Sequence, residues 1–172
     1  NIALCFREGR ITSTSAMVFM LDSERAARLA LDRNLEVGLH LNFDDAFTGP
    51  ALPATVKECQ ERTGAFLRKG KYTQVLYNPM HKKPFEYLYR AQYEEFVRLY
   101  QRQPTHINGH HHMHLCSNVL LGKIIPSGSR VRRTFTFMKG ERNVPNLVYR
   151  RIVDRLVTER FVTTDMFFAS IP

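Results

Sequence analysis

Two periods of hydrophobic spacing alternate along the chain. The opening "NIALCFREGR" reads as closing helical turns stopped at Gly9. "ITSTSAMVFM" (11–20) is β-branched and partly period-two, which predicts a strand. "LDSERAARLALDRN" (21–34) predicts a helix capped by Asp22 or Ser23, with Ala26, Leu29 and Ala30 on one face. A second strand follows in "LEVGLHLNF" (35–43).

Residues 44 to 83 are weakly patterned and interrupted by Gly49, Pro50, Pro53, Gly64 and Gly70, a long excursion holding a short helix from about Thr55 to Leu67. The clearest helix is "PFEYLYRAQYEEFVRLYQRQ" (84–103), with a stripe of Phe85, Leu88, Tyr89, Phe96, Leu99 and Tyr100 and with i,i+4 pairs Glu86–Arg90 and Glu94–Arg98. "PTHINGHH" is the next strand, then a short helix, a strand "SRVRRTFTF", a helix opened by Pro145 and a last strand "RFVTTDMFF". Strand and helix in this rhythm indicate parallel β/α units, in a barrel or an open sheet. Ligands in both sit at the carboxyl ends of the strands.

The segment "HINGHHHMHL" (106–115) concentrates five histidines, and strand parity sorts them. In "LEVGLHLNF", Leu35, Val37, Leu39 and Leu41 share the face that suits packing against helices, while Glu36, Gly38, His40 and Asn42 share the other. In "PTHINGHH", His106, Asn108 and His110 face inward by the same rule. His40 and His110, inward at strand ends, therefore match a divalent ion's need for neutral imidazoles, and a third ligand, a carboxylate, is required. His111 has the wrong parity and reads as incidental, whereas His112 and His114 line the pocket or orient ligands. His106 lies about four residues deeper than His110, at ~3.3 Å per residue, which makes joint ligation awkward. Asp44 and Asp45 follow the His40 strand near the rim of the site and are a candidate carboxylate pair, with a solvated loop as their default reading. His81, followed by Lys82 and Lys83, reads as solvated.

Composition narrows the classes. The 172 residues, 44% hydrophobic and 24% charged, fit one globular domain spanning the whole chain. No run approaches the ~18 apolar residues of a membrane span, and no leader precedes the first helix, so no membrane partner is expected. Cys5, Cys59 and Cys116 are widely spaced and odd in number, which fits a reducing cytoplasm rather than a disulfide or thiolate-zinc framework. A net charge of +9 permits an anionic polymer. Arg130, Arg132, Arg133, Lys139, Arg142, Arg150, Arg151, Arg155 and Arg160 crowd the last third, with Phe135 and Phe137 between them. They match no RNA-recognition signature and read as a solvated basic helix face, so no nucleic acid is expected.

"GRITSTSAMV", "VGLHLNF" and "PTHINGHHHMH", in that order, resemble the YdjC-like family of metal-dependent carbohydrate deacetylases over residues 1 to about 115. The resemblance implies a distorted or incomplete β/α barrel with parallel strands, TIM-barrel-like and related to polysaccharide deacetylases. It also implies a divalent ion, Mg2+ or Zn2+, held by one Asp and two His, with His40 and His110 at the histidine positions. The ion would polarise the acetamide carbonyl of an N-acetylated saccharide and acidify the attacking water, with a carboxylate as general base. The family's Asp-Asp-Phe-Gly segment, source of the metal carboxylate and the base, is expected upstream of Asn1. Asn108 stands where the family usually has Asp, and no late His-Pro-Gly segment occurs. The chain thus reads as the middle of such a protein, truncated at the N-terminus and at the C-terminus. Asn42, His106, Asn108, His112 and His114 are the pocket or ligand-orienting candidates. A catalytically inactive metal- or sugar-binding relic and a basic anionic-polymer binder are the alternatives, and a homodimer is compatible with the deacetylase reading.

Overall fold

The computed structural model describes residues 2–134 and 144–164. Helix α1 (Ile2–Arg7) ends at Gly9, whose φ of 70° is the left-handed conformation that closes a helix cheaply only with glycine. Strand β1 (Ser13–Ala16) is shorter than the β-branched run predicted. Helix α2 (Ser23–Leu31) starts where expected, but Asp22 makes no capping bond. It pairs instead with Arg25, while Ser23 Oγ accepts from the Met20 N–H at 2.9 Å. The buried face of α2 is Ser23, Ala27 and Ala30; Ala26 and Leu29 are exposed, one position off the predicted stripe.

Strand β2 (Glu36–Leu41) is central in a parallel sheet of order β1-β2-β3, with β3 formed by Ile107–Gly109. Parallel bridges Ile107↔Val131 and Arg130↔Val162 carry the ladder two strand positions further. The architecture is therefore α/β with an open parallel sheet among the described residues. The predicted tails Phe135–Phe137 and Asp165–Phe168 lie outside those residues, as do Lys139 and Arg142. Val37, Leu39 and Leu41 are buried, as parity requires for a face covered by helices.

The excursion after β2 contains α3 (Ala54–Leu67), a single turn α4 (Tyr72–Val75) and a 3-10 turn at Pro79–His81. His81 is half-buried rather than solvated, because its ring stacks on Phe66 at 4.2 Å between centroids. Helix α5 (Lys82–Tyr100) buries the whole predicted stripe together with Gln92. Its ion pairs differ from the predicted ones: Arg90 meets Glu94, and Arg98 bridges Glu95 and Glu24, tying α5 to α2. After β3 come a 3-10 segment (His110–Leu115), α6 (Ser117–Leu120) and α7 (Val144–Arg160).

Part of the basic last third is engaged inside the fold, while Arg130, Arg151 and Arg155 are exposed. Asp154 accepts from Arg133 at 3.0 Å and from Thr134 at 2.6 Å, and Arg160 donates to the carbonyls of Leu120 and Ile125. Among the described residues no helix is long and apolar enough to cross a membrane.

Candidate metal centre

The centre is assembled from two short segments just past the carboxyl ends of β2 and β3. In the first, fully buried Asn42 organises a turn. Its Oδ1 accepts from the N–H groups of Asp44 (3.3 Å) and Asp45 (3.0 Å), and its Nδ2 donates to the Asp45 carbonyl at 3.0 Å. This Asx-type turn is the local reason an Asn follows the strand. The surrounding helices brace it. Gln92 of α5 exchanges two hydrogen bonds with the Asn42 backbone, Gln60 of α3 donates to the Asp45 carbonyl, and Thr63 and Arg68 bind the carbonyls of Phe43 and Asp44. Two adjacent carboxylates are thereby held on a fixed backbone.

In the second segment the chain leaves β3 at Gly109. A Cβ there would stand 2.8 Å from His114 Nδ1, so glycine permits the close return of the chain. His111 and His112 then adopt left-handed backbone, with φ of 46° and 62°. Each such residue costs of order 1 kcal/mol or more and persists only where its surroundings enforce it. The strand parity that set His111 aside presumes extended backbone; the structure ends the strand at Gly109 and turns His111 back to the acidic turn.

There His111 Nδ1 donates to Asp44 Oδ2 at 2.7 Å and His110 Nε2 donates to Asp45 Oδ2 at 2.9 Å. The two imidazoles lie 3.9 Å apart between centroids. Asp45, His110 and His111 each offer a ligand atom, all within 4.8 Å of one another. One carboxylate and two imidazoles are a donor set suited to a divalent transition ion. The remaining oxygen of Asp44, Oδ1, is buried without a hydrogen-bond partner, which leaves acceptor capacity beside the cluster. Its bond to Asp44 raises the His111 pKa.

His40 sits behind this group, its ring edge-to-face with His110 at 5.7 Å. Its Nδ1 donates to Asn108 Oδ1 at 2.6 Å, and burial lowers its pKa. Of the residues singled out in the sequence, His40, His110 and Asn108 are thus brought together. Asn42 shapes the acidic turn through the backbone. His106 lies apart, under Gly38, where a Cβ would meet its ring at 2.5 Å. It lines a cavity of about 500 Å³ with Ser13, Glu36 and Arg130, towards the amino ends of the strands.

His112 and His114 meet different chemistry. Arg132 donates to His112 Nδ1 at 2.8 Å, and His114 Nε2 donates to the Arg132 carbonyl at 3.0 Å. Burial pushes the pKa of His112 down to about 4 and that of fully buried His114 down to about 3. A small cavity of about 150 Å³ adjoins the cluster, lined by Gln74, His111, His112, Tyr149 and Arg150 among others. Asp44 and Asp45, read by default as a solvated loop, and His111, read as incidental, are the site residues that sequence reasoning set aside. The available signal was a pair of carboxylates directly past the carboxyl end of a strand in a parallel β/α chain.

Residues 2–164 match the model of the family described as YdjC-like protein. The chain belongs to the YdjC-like protein family. Among curated relatives, a "Carbohydrate deacetylase" of Danio rerio is 30% identical over 124 residues, covering 69% of this chain and 38% of that protein. A "Chitooligosaccharide deacetylase" of Serratia marcescens is 30% identical over 111 residues, 64% of this chain and 42% of its own length. A "Carbohydrate deacetylase" of Clostridium beijerinckii is 33% identical over 115 residues, 66% and 44% respectively. The match spans about two fifths of the length of these relatives. In this chain the acidic turn and the histidine segment meet at the end of the sheet where parallel α/β proteins carry their chemistry.

Proposed function

We propose that the chain contributes the metal-binding core of a divalent-metal-dependent hydrolase that removes N-acetyl groups from an acetylated amino-sugar oligosaccharide. The observation that carries this reading is the convergence of Asp45, His110 and His111 past the carboxyl ends of β2 and β3. The names of the relatives support the carbohydrate and the deacetylation. His110 is the central ligand in this reading, with His40 as a further imidazole behind it. Two or more nitrogen donors favour Zn2+ over Mg2+, which prefers oxygen.

Bound there, the ion supplies Lewis-acid polarisation of a carbonyl oxygen and acidification of water. The chain's own residues do the rest. Asp44 orients His111, the Asn42 turn fixes both carboxylates, and the cavity beside His112, Tyr149 and Arg150 takes part of the sugar. The proton acceptor in this reading is the Asp of the family's Asp-Asp-Phe-Gly segment, which residues 1–172 do not contain. The cytoplasm is the compartment that fits three free cysteines.

The test measures Zn2+ bound per chain and acetate released from N-acetylated oligosaccharides. His110→Ala is expected to abolish stoichiometric metal binding; unchanged metal content would sink the assignment. Tight metal binding by a full-length protein that releases no acetate would replace the hydrolase with a non-catalytic binder.

A further inference from the structure

We infer that Asn108 is a positioning residue that locks His40 into a single tautomer, with the proton on Nδ1 and the lone pair on Nε2. Three contacts carry this. Register pairs His40 with Asn108 across β2 and β3, so both side chains leave the same face of the sheet. His40 Nδ1 and Asn108 Oδ1 are 2.6 Å apart, and Asn108 Nδ2 donates to Ser15 Oγ of β1 at 3.1 Å. In this arrangement the amide nitrogen donates to Ser15 and the amide oxygen faces the imidazole, and an oxygen that only accepts requires a proton on Nδ1. His40 Nε2 joins no hydrogen bond among the described residues.

Asn108 is buried, and the chain Ser15–Asn108–His40 crosses all three strands. Relayed in this way, edge strand β1 helps to orient an imidazole of the centre. A neutral amide holds the imidazole as a carboxylate would, but adds no charge behind it. His40 is thereby presented as an uncharged nitrogen donor, its ring packed against His110. Such outer partners set ligand orientation and change metal affinity about 10–100-fold when removed. The purpose of the relay rests on the metal-centre reading above, whereas the tautomer does not.

The experiment has two arms. In the first, the 15N-labelled 172-residue chain without added metal is studied by long-range imidazole 1H–15N NMR. His40 is expected to show a protonated Nδ1 and a bare Nε2. Asn108→Asp keeps an acceptor and should preserve that pattern, while Asn108→Leu should shift the ring to a mixture or to the Nε2–H form. A protonated Nε2 in the native chain, or an unchanged tautomer in Asn108→Leu, overturns the inference. In the second arm, Zn2+ alone is titrated calorimetrically. Asn108→Leu should weaken binding about 10–100-fold, with Asn108→Asp restoring it; equal affinity in native chain and Asn108→Leu overturns the relay's role. If the native chain shows the expected tautomer but binds no Zn2+, the metal reading fails and the tautomer stands.

Discussion

The first and last histidines of one short segment live in opposite surroundings. His110 and His111 face outward to Asp45 and Asp44, while His112 and His114 turn inward to Arg132. The residue type is the same throughout, so the partners decide the role. A carboxylate leaves imidazole able to take a second proton and become a cation, or to trade its proton for a metal ion. A guanidinium and a buried site hold it neutral, as a packed hydrogen-bonding group. The segment is thus half candidate metal centre and half scaffold, divided at the left-handed backbone of His111 and His112.

The largest expected effect tests the scaffold half. His114→Ala removes a fully buried ring and leaves the Arg132 carbonyl without its donor, which should cost roughly 2–4 kcal/mol in urea unfolding. A cost below about 1 kcal/mol would erase the distinction between the halves. Next comes the metal half: Asp44→Ala frees the His111 ring and should loosen Zn2+ about 10–100-fold in calorimetric titration, with little change in unfolding.

A pH series should separate the halves by sign. His114 and His112 have pKa values pushed below the ordinary 6.5, to about 3 and about 4. Between those values and 6.5 the unfolded chain binds protons that the native one refuses, so their effect is to lower stability as pH falls through that window. The slope is on the order of 1 kcal/mol per pH unit for each ring, and His114→Gln should flatten it by about one proton's worth. His111 carries the opposite sign: its raised pKa stabilises at low pH, and that contribution is lost as pH rises through the folded value. The smallest effect is His111→Ala on stability, expected within about 0.5 kcal/mol because the ring is exposed. A larger loss would make His111 a structural residue after all.

Much of the frame was legible in the chain. The stripe of α5, the helix of residues 54–67 and the parity of Val37, Leu39 and Leu41 all follow from local periodicity, which the tertiary fold had only to accept. The failures are equally physical. In α2, which packs against α5, Ala30 is buried as read but Ala27 takes the place of Ala26 and Leu29 on the buried face. The predicted pairs on α5 gave way to Glu24 from another helix. Asp44 and Asp45 were unremarkable as a loop until α3 and α5 braced their backbone.

By itself, the sequence determined the alternation of parallel strands and helices, the inward face holding His40 and Asn108, and the family. Each of these depends on spacing within a few residues or on motifs quoted whole. Only the tertiary structure decided which histidines meet acid and which meet arginine. That choice hangs on a left-handed turn after Gly109 and on segments 65 and 67 positions apart in the chain, and no local period encodes such a meeting.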